Sequence, residues 1–318
     1  MTFVLKILGS NSAAPAFNRN PTSQLLHVEQ NYFLIDCGEG TQMQLNKYKV
    51  RFNRIDHIFI SHLHGDHYLG LTGLLSTMHL NKRTEDLYLF GPPGIGEILT
   101  LQFKYSDTRL HYKIHFRELT QIRELIFENE NLTVETIPLN HRIQCTGFLF
   151  REKPKKRRLN KAVLPQNLSL SQIARLKKGE DLVNGQGEII YRNEELTLPP
   201  KKSRSYAYCS DTSYYEPIIE QITGVDLLYH ESTFLEVETQ RASETFHSTA
   251  RQAAKIAQLA KVKKLILGHY SSRYKDLSLF LEEARSIFPN TVLSIEGEET
   301  ELKDIIIEHT FPISKKPV

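Results

Sequence analysis

The sequence predicts an α/β protein, and three observations predict it. Short apolar runs of strand length, rich in β-branched and aromatic residues, alternate with stretches whose apolar positions recur at helical spacing. At 318 residues the chain can bury a large core as one domain, residues 1–318. A polar, charged stretch, residues 151–204, interrupts two core-like strands and reads as an insertion in that domain, not as a linker.

Taken in order, "FVLKILG", "SQLLHVE", "NYFLIDCG" and "IDHIFIS" have the length and composition of strands. "GEGTQMQLNKY" and "DHYLGLTGLLSTMHL" have helical spacing, and "PGIGEILTLQFKY" opens with punctuation suited to a helix start. Past residue 130, "TVETIPLNH", "SYAYCSDT", "VDLLYHEST" and "KKLILGHY" are strand-like runs, each ending in a potential ligand or acid. "STARQAAKIAQLA" is the clearest helix, with Ser248 expected as its N-cap.

Composition narrows the class. No segment approaches the roughly 20 apolar residues of a membrane helix, and the start reads as strand and loop, not as a signal peptide, so a cytoplasmic protein without membrane contact is expected. Cys37, Cys145 and Cys209 are far apart and lack CxxC spacing, which supports neither a disulfide framework nor a thiolate zinc knuckle. A net charge of +3 is too small to argue for nucleic acid, so any such argument must rest on where the cations cluster.

The chemistry-bearing stretch is "SHLHGDH", Ser61 to His67. Alternate residues of an extended segment face the same way, so His62 and His64 can aim at one point, while a turn at Gly65 lets Asp66 and His67 face another. Three imidazoles and a carboxylate in so tight a loop have no packing rationale, and two cations would be served by it. Further candidate ligands close the later strands: His141, Asp211 and His269. Each alone would more often be an ordinary strand-end residue.

With these residues the sequence resembles the metallo-β-lactamase superfamily, whose hallmark is HxHxDH after a strand. Within it, the sequence is most similar to the ribonuclease Z family of tRNA 3′-processing endonucleases. The resemblance runs through "NRNPTSQLL", "LIDCGEGTQMQL", "SHLHGDHYLGLTGLL", "LNHRIQCTGFLF", "AYCSDT", "LLYHESTF", "HSTARQAA" and "LGHYSSRY", and the "DCGEGTQ" string and the "HEST" and "HST" pair are its most specific parts. It implies a four-layer αββα sandwich with an inserted flexible arm, and two Zn²⁺ per subunit. One would be bound by His62, His64 and His141, the other by Asp66, His67 and His269, with Asp211 bridging. It also implies a homodimer in which one subunit's arm holds tRNA for the other's active site.

Charge counting favours an anionic substrate independently of that resemblance. Two dications, neutral imidazoles, two carboxylates and a bridging hydroxide leave the centre near +1. The expected reaction is in-line attack by that hydroxide on a phosphodiester, with Asp66 orienting it and accepting its proton, leaving a 3′-hydroxyl on the tRNA and a 5′-phosphate on the trailer. His247 is the expected acid for the departing 3′ oxygen; in the resemblance Glu231 holds its ring, although helix capping alone would also explain "HST". Asp36 is expected behind a ligand histidine, hydrogen-bonded to it.

The insertion opens with "REKPKKRR", six basic residues and one acidic, and ends near "KKSR". Such runs are often only solvated surface, but between a ligand histidine and the bridging aspartate they become candidate phosphate contacts: Lys155, Lys156, Arg157 and Arg158. The resemblance makes this stretch the arm that grips tRNA, although "PQNLSLSQ" stands where many arms carry a Gly-Pro element. "FNRNPTS" is either a plain turn or, as in the family, a loop near the acceptor stem, with Arg19 as a phosphate contact. Two rivals remain open: a phosphodiesterase or lactonase acting on small molecules, and an RNA-binding module with purely structural metal.

Overall fold

A computed structural model describes residues 2–303. The first strands are β1 (Phe3–Gly9), β2 (Ser23–Val28), β3 (Asn31–Cys37), β4 (Ile55–Phe59), β5 (Leu87–Gly91), β6 (Ile114–Glu118), β7 (Leu125–Glu128), β8 (Leu132–Pro138) and β9 (Thr146–Glu152). The insertion contributes four short strands: β10 (Arg158–Leu159), β11 (Leu182–Val183), β12 (Ile189–Tyr191) and β13 (Thr197–Leu198). The chain then continues through β14 (Ser205–Cys209), β15 (Leu227–Glu231), β16 (Leu265–Gly268), β17 (Thr291–Leu293) and β18 (Glu299–Glu301).

Two mixed seven-stranded sheets result, ordered β18-β1-β2-β3-β4-β5-β6 and β17-β16-β15-β14-β9-β8-β7. Each is parallel on one side, β3 to β6 in the first and β14 to β17 in the second. Parallel strands buried on both faces are continuously apolar, and "FLI" in β3 and "LLY" in β15 read that way. Between the sheets lies an aromatic layer: the Phe59 ring centroid is 5.3 Å from that of Phe148, and Phe33 is 5.5 Å from Phe150. Outside the first sheet, Leu45, Leu71, Leu75 and Leu99 from helices Thr41–Lys47, Leu71–Leu80 and Ile95–Tyr105 close one apolar cluster. Outside the second, Ala250, Ala253, Ala254 and Ala257 lay helix Ala250–Leu259 against another. The order helices, sheet, sheet, helices is the αββα sandwich.

The N-cap of that alanine-rich helix is Thr249, not Ser248. Thr249 forms a capping box with Gln252, its hydroxyl accepting from the Gln252 N–H at 3.2 Å. Ser248 is drawn inward instead: its hydroxyl donates to the Thr212 carbonyl at 2.7 Å and its N–H to Glu231 at 3.1 Å.

The described chain divides into two compact units, one running through Glu128, Thr133–Phe150 and Ser205–Leu302, the other made chiefly of 129–132 and 151–204. The second unit has regular structure that its polar texture hides. Helix Leu170–Lys178 starts on a Ser169–Gln172 capping box and ends at Gly179, which takes a positive φ of 94°. Leu176, Leu182 and Leu196 form a small core. At its root Arg204 and Glu152 are both buried, with Nε to Oε2 at 2.9 Å and the Arg204 N–H on the same oxygen at 2.8 Å. Burial works against the Glu152 charge, but Arg204 and Lys155 outweigh it and hold the carboxyl below its usual range.

Candidate metal centre

The candidate ligands gather at the C-terminal ends of the parallel strands, where ligand sites of open α/β sheets form. Ser61–His67 follows β4, Asp211 follows β14 and His269 follows β16, while His141 comes from the turn after β8. Several positions close to them carry left-handed backbone despite having side chains: Ala13 (φ 59°), Asp36 (φ 55°), Asp211 (φ 59°), Phe246 (φ 57°) and His269 (φ 60°). Such residues are uncommon and cost on the order of 1 kcal/mol each, and their clustering marks backbone bent to aim side chains.

Two donor groups form, His62, His64, His141 and Asp211 in one, and Asp66, His67 and His269 in the other. Within the first, His62 Nε2 is 2.9 Å from His64 Nδ1, and His141 Nε2 is 3.1 Å from the same atom. Within the second, His67 Nε2 lies 3.2 Å from His269 Nε2 and 3.4 Å from Asp66 Oδ2. Asp211 spans the two. Its Oδ2 is 3.5 Å from His62 and 3.7 Å from His141, while Oδ1 is 3.1 Å from His67 and 3.0 Å from His269. Ligands about 2.0–2.1 Å from a tetrahedral ion stand roughly 3.3 Å from each other, which is this spacing.

The outer partners set the tautomers. Asp36 Oδ2 lies 2.7 Å from His67 Nδ1, and Phe246 O lies 3.0 Å from His141 Nδ1, so both rings carry their proton on Nδ1 and turn an Nε2 lone pair inward. The Thr233 hydroxyl donates to Glu231 Oε2 at 2.6 Å, which leaves its lone pair to accept from His269 Nδ1 at 2.9 Å. His67 and His269 therefore face each other with Nε2 lone pairs, an arrangement that needs a cation. Burial disfavours a proton on His67, but Asp211, Asp66 and Asp36 outweigh it and hold its pKa well above the usual histidine range. His62, His64 and His141 are all pushed below that range, burial being the main cause, which favours the neutral imidazole that could bind a metal ion. The ion pairs of Asp66 and Asp211 are all with histidines. Nitrogen-rich donors with carboxylates, charged inward and short of positive charge, fit divalent metal ions.

Asp36 is itself saturated by Ser61 N–H at 2.7 Å, Ser61 Oγ at 2.9 Å and Tyr208 Oη at 2.6 Å. Glu231 is fully buried and accepts from Thr212 N–H at 2.7 Å and from His247 Nδ1 at 2.8 Å. Burial lowers the affinity of His247 for its proton, but the Glu231 carboxylate overrides it and lifts the pKa to about 9. His247 also lies in a possible donor group with Asp211 and His269. A cleft of about 490 Å³ opens over the centre, with His247 and the exposed Arg142 on its wall.

Arg19 does not point into that cleft. Its Nε donates to Asn11 Oδ1 at 3.0 Å, and its two amino groups donate to the carbonyls of Lys275 and Tyr274. These bonds tie Arg19 to the loop whose Ala13 N–H donates to Asp66 Oδ2 at 2.7 Å. In the second unit Arg157 Nε donates to Thr197 Oγ1 at 2.7 Å, Arg158 Nε to the Pro199 carbonyl at 3.0 Å, and Lys155 pairs with Glu152 at 2.9 Å; Lys156 is exposed. Sequence reasoning missed Thr233, Ser61, Tyr208 and the Ala13 N–H. Only Thr233, inside "HEST", carried a local signal.

Comparison with known proteins adds the following. The family described as anti-Pycsar protein Apyc1 matches residues 3–159. A ribonuclease Z of Cytophaga hutchinsonii is 52% identical over 307 residues, 96% of this chain and 98% of its own. The short form of human tRNase Z superposes with a TM-score of 0.69 at 25% identity, covering 93% of this chain and 98% of that one. A metallo-β-lactamase fold protein of Bacillus subtilis superposes at 0.66 with 18% identity over 95% of this chain and all of its own, a likeness of fold alone.

Proposed function

Since the chain belongs to the ribonuclease Z family and is a metallo-β-lactamase-fold endoribonuclease of tRNA 3′ processing, we propose that it works with two zinc ions. His62, His64 and His141 would hold one, and Asp66, His67 and His269 the other, with the Asp211 carboxylate available to both groups. The observation that carries this reading is the two-faced Asp211 carboxylate, one oxygen toward each histidine group. When bound, the ions would bring the pKa of the attacking water toward ~7 and offset charge building on the phosphoryl oxygens.

The protein's own groups do the rest. Asp66, fixed by the Ala13 N–H, orients the attacking water and accepts its proton. His247 enters the reaction as an imidazolium, because Glu231 keeps its proton in place past neutral pH, and gives that proton to the departing ribose 3′ oxygen. The products are a tRNA with a 3′-hydroxyl and a trailer with a 5′-phosphate. Arg142, exposed on the cleft wall, is a cation available to the phosphate backbone.

The insertion serves as the RNA-gripping arm, with Lys155, Lys156, Arg157 and Arg158 contributing positive potential and Lys156 the most exposed of them. We further propose a cytoplasmic homodimer. Met43, Leu69 and Leu80, exposed apolar side chains on or beside the helices outside the first sheet, are candidates for its interface. The test pairs a tRNA precursor with a small chromogenic phosphodiester. Trailer removal with the expected ends supports the proposal, and hydrolysis of the small ester alone would assign the site to small molecules.

A further inference from the structure

A second cavity, about 690 Å³, opens at the other end of the first sheet. Val4 and Lys6 of β1, Leu25 and His27 of β2 and Tyr32 at the start of β3 line it, together with Tyr48 to Arg51 and Arg54 ahead of β4. The candidate ligands His62 to His67 follow the far end of β4, whereas Arg54 precedes its start, so strand length separates the two cavities. Its size falls within the ~300–1,000 Å³ of small-ligand sites.

Its lining is cationic and aromatic at once. Lys6, Lys49, Arg51 and Arg54 bring four positive charges, and Glu299, the one acid of the lining among the described residues, is paired with Lys6 at 3.0 Å. The Arg54 guanidinium carbon lies 4.5 Å from the centre of the Tyr32 ring, and that ring stacks on His27 with centroids 4.0 Å apart. Lys6 Nζ is 5.5 Å from the Tyr48 ring centre. A plain solvated patch would not assemble a tiered stack of His27, Tyr32 and Arg54 beside an aromatic wall. Guanidinium and aromatic planes are the surfaces on which unpaired bases stack, and arginine and lysine at the rim supply phosphate contacts.

We propose that this cavity is a nucleotide-binding site distinct from the metal centre, its base resting on the outer face of the Arg54 guanidinium, which Tyr32 backs, and its phosphate between Arg51 and Lys49. The nucleotide comes either free or from an unpaired stretch of RNA, and the chemistry is the same for both.

Equilibrium dialysis of labelled AMP against the metal-loaded protein tests it. The Arg51→Ser/Arg54→Ser variant is expected to bind one nucleotide per chain fewer than the unaltered protein, with hydrolysis of a small phosphodiester within about twofold, since neither residue lies near the metal centre. Tyr32→Leu, which removes the ring that backs the Arg54 guanidinium, is expected to weaken this binding event by up to about tenfold, the scale of one stacking contact. Equal binding by the unaltered protein and the double variant would overturn the site. Displacement of AMP by ribose 5-phosphate at equal concentration would overturn the base contact. A four-nucleotide RNA that displaces AMP supports RNA as the source, and AMP that resists it supports a free nucleotide.

Discussion

The metal centre and the inserted arm hold themselves together in opposite ways. The centre draws side chains from segments as far apart as Asp36, His141 and His269, and holds them by hydrogen bonds that cross the molecule, such as His67 to Asp36 and His269 to Thr233. Its backbone is bent at Asp36, Asp211 and His269 to make this possible. The arm is local: a helix capped by its own Ser169 and Gln172, three buried leucines, and an ion pair at its root. The centre therefore depends on the sandwich around it, whereas the arm can change its details while keeping a charged surface. Chemistry and grip should then separate under mutation.

The sharpest separation is expected at His247. His247→Ala should lower RNA cleavage by about 10²–10⁴-fold with metal content unchanged, and hydrolysis of a chromogenic phosphodiester far less, since its acidic leaving group needs no proton, read by kinetics beside elemental analysis. Loss of metal in that variant would make His247 a ligand, the role its place beside Asp211 and His269 allows. Next comes Thr233→Val, which removes the hydroxyl between Glu231 and His269. It should weaken metal affinity by about 10–100-fold, as loss of an outer partner does, and titration with a competing chelator would show it.

On the arm, Glu152→Gln takes the carboxylate charge out of the buried pair with Arg204, and breaking a buried pair costs about 3–5 kcal/mol. Residues 151–204 should become sensitive to limited proteolysis, and precursor cleavage should fall while small-ester hydrolysis stays intact. Equal loss of both activities would make the arm a support for the centre.

The smallest effect belongs to the core. Burial pushes the His57 pKa down to about 4 from the usual 6.5, and its Nδ1 has no hydrogen-bond partner among the described residues. A lowered folded-state pKa favours folding above 6.5 and withdraws that support as pH falls toward 4. His57→Phe, stacking on Tyr88 as the imidazole does, should flatten the fall in Tm between pH 7 and pH 4.5 without touching activity.

Much of the centre was legible because its ligands end strands whose apolar runs are unmistakable. "IDHIF" becomes β4 of the first sheet, while "AYC" lies in β14 and "LILG" becomes β16 of the second, and each strand is followed by a polar residue of the centre. What escaped acts through groups without a type-specific signature, such as the Ala13 N–H on Asp66, or through packing across the fold, such as Tyr208 reaching Asp36. The intramolecular partners of Arg19 escaped for the same reason: nothing local in a turn announces the carbonyls of Tyr274 and Lys275 around its guanidinium. The arm was legible as charge but not as structure, because three leucines spread over 20 positions leave no periodic trace.

The account rests on Asp211 joining two cation sites. Elemental analysis of the purified protein and of Asp211→Ala, run beside cleavage of a tRNA precursor, addresses that most directly. Two zinc equivalents per chain in the unaltered protein, with metal lost and cleavage lowered at least about 10²–10³-fold in the variant, is the predicted result. A single equivalent at saturation, or a variant that keeps both its metal and its cleavage, would contradict it.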